Sequence, residues 1–223
     1  MQIVHLDECH STQEYLKNQL SEGSLSAPAL VFTHNQTSGR GRRNKVWHHF
    51  KGSLAFSFVT EKFQPITFSP LAIGVLICEA LKELNKEIYL KWPNDLVTKE
   101  GKKIGGILSQ VYKENLIIAG VGINYFLNED KDFEYPHASL LNAEESFDTP
   151  SFLEKLGEKL KGRKRDFSVA WNGFCFHLNK EVNIVDQTSV NGVFKGIGES
   201  GEALLELPSG VIQSVFTGSL RFP

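Results

Sequence analysis

The densest chemistry in the chain lies in Gly39-Arg40-Gly41-Arg42-Arg43-Asn44-Lys45-Val46-Trp47, where four cations fall within six residues. Glycines let such a backbone approach a ligand closely. Guanidinium groups grip phosphate or carboxylate oxygens in a fork, each charge-assisted bond contributing roughly 1.5–3 kcal/mol net. Taken alone, these residues would serve equally as a solvated basic loop or a nucleic-acid patch.

Three further segments carry residues of the right type. Lys91-Trp92-Pro93-Asn94-Asp95 ends an apolar run with a stiff turn. Asn94 can read the edge of a base and Asp95 can hold a metal or orient a cation, although Pro, Asn and Asp also favour turns for backbone reasons alone. In Lys102-Lys103-Ile104-Gly105-Gly106-Ile107-Leu108 a lysine opens a strand weakened by paired glycines, so something should approach the backbone there. A lysine beside such an opening can neutralise a carboxylate and a phosphate together; a surface hairpin with a bulge explains the segment as well. Gly120-Val121-Gly122-Ile123-Asn124 has a Gly-x-Gly but lacks the third glycine and helix of a dinucleotide fingerprint. No Gly-x4-Gly-Lys-Ser/Thr phosphate loop occurs. The seven histidines show no ligand spacing, so no residue is assigned to a metal.

The elements that must position these residues follow from periodicity. Residues 11–20 read as a short helix, with Ser11 as cap, Glu14 completing a capping box, and Leu16 and Leu20 on one face. Residues 29–33 fit a buried strand, and 36–45 lack either periodicity and read as a loop. Leu54, Phe56 and Phe58 alternate with small or polar residues, which predicts a half-buried strand. The spacing predicts a helix over 69–84 and a strand over 87–91 that Pro93 stops. Residues 96–98 and 104–112 pair as a hairpin around Lys99-Glu100-Gly101, and 116–123 form another strand. Thr149 caps a helix with Pro150 at its first position, running to about residue 177 with a break at Gly162. Beyond Asn179, short β-like runs at 181–186, 193–197, 203–207 and 211–216 are punctuated by Gly198, Gly201, Pro208 and Gly210. The layout is α+β: a mixed sheet with helices over 1–178, then a small all-β barrel over 179–223.

With 223 residues, 41% of them hydrophobic and a formal net charge of −2, the chain has room for one large core or a large and a small one, and no broad basic surface. Anion chemistry must therefore be local. Cys9, Cys78 and Cys175 make neither a disulfide framework nor a metal site and suit a reducing cytosol. The start lacks the pattern of a signal peptide, and no apolar run is long enough to span a bilayer, so a cytoplasmic protein without a membrane partner is expected.

Taken in order, the segments resemble biotin protein ligase. The family pattern is Ser-Thr-Asn, then Gln-x-x-Gly-Arg-Gly-Arg-Arg followed by Trp, then Lys-Trp-Pro-Asn-Asp, Lys-x-x-Gly-Ile-Leu and Gly-x-Gly-Ile-Asn. The chain supplies each in register, from Ser11-Thr12-Gln13 to Asn124. The resemblance implies a biotin/lipoate ligase-like mixed sheet followed by a small SH3-like β-barrel. It implies that biotin and ATP, with Mg2+ on the phosphates, become biotinyl-5′-AMP, and that biotin then passes to a lysine. The acceptor implied is the biotin carboxyl carrier domain of acetyl-CoA carboxylase or a related carboxylase; a homodimer is left open.

Carried over residue by residue, the resemblance assigns Ser11, Thr12, Gln13 and Gln36 to the ureido ring of biotin. Arg40, Gly41 and Arg42 belong to a loop closing over biotin and the adenylate. Lys103 bridges the biotin carboxylate and the α-phosphate, which makes it catalytic together with Arg40 and Arg42. Gly105, Gly106, Gly120 and Gly122 line the pocket, while Arg43, Trp47, Asn94, Lys103 and Asn124 contact the nucleotide. Two positions depart from the pattern: Gln13 replaces the usual Asn, and Asn44 stands where Gly is common.

Three rivals compete with this resemblance. Lipoate or octanoate ligases and transferases share the fold but show Arg-Arg-x-x-Gly-Gly-Gly and lack the Lys-Trp-Pro-Asn-Asp turn. A biotin-responsive repressor needs a DNA-binding domain ahead of Ser11, and the low net charge also argues against DNA. Against a domain that merely binds ligand stands Lys103 beside the loop cations.

Overall fold

A computed structural model describes residues 1–126, 136–141, 145–161 and 166–223. Its elements begin with β1 (Gln2–Leu6), α1 (Thr12–Glu22) and β2 (Ala29–Thr33), then a miniature hairpin of β3 (Gly39–Arg40) and β4 (Val46–Trp47), then the long strand β5 (Gly52–Glu61). Next come α2 (Ser69–Lys82), β6 (Tyr89–Lys91), β7 (Asp95–Val97), β8 (Lys103–Lys113) and β9 (Leu116–Phe126), followed by α3 (Thr149–Lys161) and α4 (Ser168–Phe174). Five short strands close the chain: β10 (Glu181–Val185), β11 (Ser189–Ile197), β12 (Ala203–Glu206), β13 (Ile212–Val215) and β14 (Ser219–Arg221).

Seven strands lie side by side in the order β1, β2, β5, β9, β8, β7, β6, every pair antiparallel except β1 with β2. Helix α1 covers one face; α2, α3 and α4 pack together over the other. Both faces are therefore covered at the sheet centre, and β5 is buried from Gly52 to Val59 rather than on one side only. The alternation of Leu54, Phe56 and Phe58 is real, since those side chains face α2 and α3. Small residues at 53, 55 and 57 face the opposite way, under α1 and the ligand cleft, which the alternation alone leaves looking like solvent. Val59 and Ile118 join Leu16 of α1 in a second, smaller core on that side.

The helical stretch after residue 149 is two helices, and the expected break at Gly162 lies outside the described residues. Asp148, not Thr149, caps α3: its carboxylate accepts from Ser151 N at 3.1 Å and Ser151 Oγ at 2.7 Å. The Thr149 hydroxyl instead lies 3.4 Å from His34 Nε2.

The C-terminal strands form an antiparallel sheet in the order β13, β12, β11, β10, β14; sequence periodicity did not disclose β1 and β14, nor the short β3 and β4. Among the described residues no ladder joins β13 to β14. Val182, Ile184, Phe194, Leu205 and Leu220 share one continuous core with α2 and Trp171 of α4. Trp92 Nε1 donates to Gly201 O at 3.0 Å, so the motif tryptophan anchors this sheet to the main one. Trp171 is 1% exposed and contacts Phe194 and His177. Trp171→Ala is expected to cost about 3–5 kcal/mol, seen as a lower urea midpoint with a single transition for both sheets. Among the described residues no helix is long and apolar enough to cross a membrane.

Candidate active site

Strands β5, β9, β8 and β7, the first turn of α1, the β3–β4 hairpin and the β10–β14 edge enclose a cleft of about 1220 Å³. Eight Lys or Arg side chains line it against three Asp or Glu, so a chain of net charge −2 concentrates positive charge at this one place.

Register makes the floor. Pairing sets Ser57 beside Gly120, Ala55 beside Gly122, and Gly106 beside Gly122, giving a stripe of small residues across three strands. Gly106, Gly120 and Gly122 line the cleft as expected, but Gly105 does not: the space for its side chain is taken by Gly122 O at 2.5 Å and Leu96. A bulge opposite Leu96 and Val97 is the reason. It leaves Ile104 and Gly105 towards the helices and turns Lys103 into the cleft.

At the inner end the chemistry is polar and neutral. Ser11 Oγ accepts from Glu14 N at 3.4 Å, which caps α1 and fixes Thr12 and Gln13 on its first turn. Gln36 Oε1 accepts from Thr12 N at 3.0 Å and Thr12 Oγ1 at 3.2 Å, and Thr12 Oγ1 lies 2.8 Å from Ser57 Oγ. Gln13 Nε2 donates to Leu108 O at 3.3 Å and Ile118 O at 3.2 Å. Its Oε1 lies 3.1 Å from where a side chain on Gly120 would begin. Ser57 was missed by sequence reasoning; the available signal was its place among the small residues that alternate with Leu54, Phe56 and Phe58.

Cations gather at the middle of the cleft. Lys103 Nζ is 2.5 Å from Asp95 Oδ1 and 5.9 Å from the centre of the Trp47 ring, both partners of the ion pair being about three-quarters buried. Asp95 thus orients a cation. Lys91 shares this wall; burial pushes its amine below the usual lysine range, and Lys103 and Arg221 add to that against the pull of Asp95. Arg42 is lowered too, first by burial and then by Arg43, with Asp95 and Asp186 opposing. Such crowding of like charge is relieved by an incoming anion.

Residues 36–45 contain more structure than a loop. Gly39 pairs with Trp47 and Arg40 with Val46, and Gly41 N donates to Lys45 O at 2.8 Å. This small hairpin lays Trp47 on the floor, where a side chain at Gly122 would overlap the indole. Trp47 Nε1 is buried with no hydrogen-bond partner among the described residues, as is Asn124 Nδ2. Asn124 Oδ1 accepts from Ser53 Oγ at 2.8 Å, which leaves that amide group aimed by its other end. Asn94 Nδ2 donates to Ile107 O at 2.8 Å and its Oδ1 accepts from Arg42 Nη1 at 3.3 Å. Arg43 pairs with Asp186 of the C-terminal sheet. Arg40 stays at the rim, 3.4 Å from Glu14 with both side chains mostly exposed. Among the described residues no group of three or more His, Cys, Asp or Glu could hold a metal.

The arrangement can bind two anions side by side on a small-residue floor, beside a neutral polar recess and beneath a cationic lid. The biotin/lipoate A/B protein ligase family matches residues 7–124, and the biotin protein ligase C terminal domain matches residues 177–219. The solved biotin protein ligase from Aquifex aeolicus in complex with biotin and ATP is 30% identical, with a TM-score of 0.85 over 100% of this chain and 99% of that one. Biotin acetyl coenzyme A carboxylase synthetase from Helicobacter pylori with bound biotinylated ATP is 25% identical, with a TM-score of 0.74 over 96% and 99%. The bifunctional ligase/repressor BirA of Bacillus subtilis (strain 168) is 27% identical over 94% of this chain and 70% of its own length.

Proposed function

Because the chain belongs to the biotin/lipoate A/B protein ligase family, we infer that its cleft makes it an ATP-dependent biotin protein ligase. A carboxylate oxygen of biotin attacks the α-phosphorus of ATP, pyrophosphate leaves, and the enzyme holds biotinyl-5′-AMP. The amine of an acceptor lysine then attacks the carbonyl carbon, and AMP leaves. The observation that carries this reading is Lys103, fixed by Asp95 in the cleft beside Trp47 of the lid. Two anions that repel each other need such a preorganised cation between them.

In this reading Ser11, Thr12, Gln13, Gln36 and Ser57 surround the ureido ring of biotin. Gly106, Gly120 and Gly122 let the rings lie against backbone. The open donors on Trp47 and Asn124, with Asn94, take the nucleotide, while Arg43, expected there too, is turned to Asp186 instead. Arg40, Gly41 and Arg42 cover the mixed anhydride and keep water from it. Magnesium arrives on the nucleotide phosphates, and no protein ligand is assigned to it. Residues 1–178 act as the catalytic domain and 179–223 as an accessory one. The acceptor is the biotin carboxyl carrier domain of acetyl-CoA carboxylase or a related carboxylase, in a reducing compartment that suits the free cysteines. The slight negative charge supports leaving DNA out of the partner set.

Supplied with ATP and magnesium, the protein should release pyrophosphate with biotin and not with lipoate; the reverse preference would replace the reading by a lipoate ligase. Arg42→Gly removes the lid's bonds to Asn94 and Gly218. It should raise biotin labelling of unrelated proteins about tenfold, by releasing activated biotin. Labelling unchanged from wild type would remove the shielding role.

A further inference from the structure

The lid hairpin is fastened from outside its own domain. Arg43 forms an ion pair with Asp186, which follows β10 in the turn to β11. Thr217 Oγ1 donates to the other carboxylate oxygen of Asp186 at 2.5 Å. One residue on, Gly218 O accepts from Arg42 Nη1 at 3.5 Å. Gly218 has φ +142, and a side chain there would meet Ile184 at 2.5 Å, so the 217–218 link lies hard against β10. Two points of the C-terminal module, Asp186 and Gly218, thus hold two consecutive arginines of the lid, with Thr217 bracing Asp186.

Arg43 itself sits at φ 55, ψ 35, in the left-handed region that non-glycine residues avoid. A residue persists there only when its surroundings hold it. Within the hairpin, the bond of Lys45 N to Arg42 O closes the turn, while the guanidinium of Arg43 is directed outward to Asp186. Thr217 first, and Arg43 next, hold the Asp186 carboxyl below the usual carboxylate range, so it stays ionised wherever the arginine needs it. The pair of Arg43 with Asp186 is 53% and 32% exposed and braced by Thr217, whereas that of Arg40 with Glu14 is 66% and 56% exposed. The latter pair holds little.

We propose that Asp186, braced by Thr217, is a positioning residue that latches the lid shut, so that the C-terminal sheet sets how long the activated acid is retained. The proposal rests on the ligase reading above. An open lid lets the acyl-adenylate escape, and water then cleaves its acyl–phosphate bond to give biotin and AMP, which frees the site for another round. Without acceptor, repeated turnover therefore reports lid opening, whereas the first turnover reports adenylate formation. A latch changes how often the lid opens but not the seat of Trp47 over Gly122, so it acts on the former and leaves the latter near wild type.

The test uses the full chain with biotin, ATP and magnesium and no acceptor, following pyrophosphate through the first and later turnovers. Asp186→Asn should keep the first-turnover rate within about twofold of wild type and raise the later rate about three- to fivefold; Thr217→Val should raise it about twofold. Asp186→Glu, which retains the charge, should return the later rate towards wild type. A later rate in Asp186→Asn equal to wild type, after a normal first turnover, overturns the latch. If wild type itself releases no pyrophosphate, the ligase reading fails instead, and hydrogen exchange decides the latch. Amides of residues 39–47 should then exchange faster in Asp186→Asn while those of β10–β12 do not change, and unaltered exchange at 39–47 overturns it. Should the asparagine variant not fold, Thr217→Val carries both measurements: a faster later rate or faster exchange at 39–47 supports the latch, and wild-type values overturn it.

Discussion

Lys103→Ala is expected to slow pyrophosphate release in the first turnover by about 10²–10³-fold, the loss typical when one preorganised electrostatic partner of a transition state is removed. The reason is the meeting of two anions. In the ground state, the carboxylate of biotin and the α-phosphate of ATP repel each other, and charge accumulates between them as the new bond forms. Lys103 is turned towards that point by the bulge in β8 and held by Asp95 at 2.5 Å. Its removal also leaves Asp95 as a partly buried negative charge, which opposes both substrates. Lys103→Arg restores charge without the reach and should recover only part of the rate, while Asp95→Asn should slow the reaction less than Lys103→Ala because the cation remains. Wild-type release by the alanine variant would remove Lys103 from the mechanism.

Gly122→Ala is expected to reduce adenylate formation by about 10²-fold, because displacing a group that orders the reacting partners by roughly an ångström costs that much. The added methyl group would stand where the Trp47 indole lies. Backbone on the floor cannot retreat: Gly122 is paired with Ala55 on one side and Gly106 on the other. The indole, and with it the β3–β4 hairpin, must lift. Coupling gives the check. Trp47→Ala removes the overlapping group, so Gly122→Ala made on that background should add little, a non-additivity that separate effects would not produce. Full additivity of the two losses would show that Gly122 matters for some reason other than seating the lid.

Most of the site is legible along the chain. The four cations of residues 40–45, Asn94, Lys103, Gly120, Gly122 and Asn124, all singled out along the chain, line one cleft. Gly105 could not be separated from Gly106 along the chain, since two adjacent glycines look alike until a bulge decides which of them faces the ligand. Ser57 was hidden for a related reason. Its period-two pattern declares two faces, yet only the arrival of α1 and the lid makes the small-residue face an interior one. The hairpin of residues 39–47 gave no periodic signal because its strands are two residues each and draw their order from contacts with the floor and the distant C-terminal sheet.

Local physics accounts for what the amino-acid order determined by itself: the helix at 69–82 from its apolar run, the β7–β8 hairpin around Gly101, the all-β texture beyond residue 179, and the identity of the charged groups available for chemistry. Those are properties of neighbours along the chain. Which face of a strand is buried, which glycine lies under the ligand, where Trp92 anchors and which acid meets Arg43 depend on residues far apart in sequence. Only the tertiary structure decides these, because burial and ion pairing act through space and a one-residue bulge is enough to exchange one face for the other.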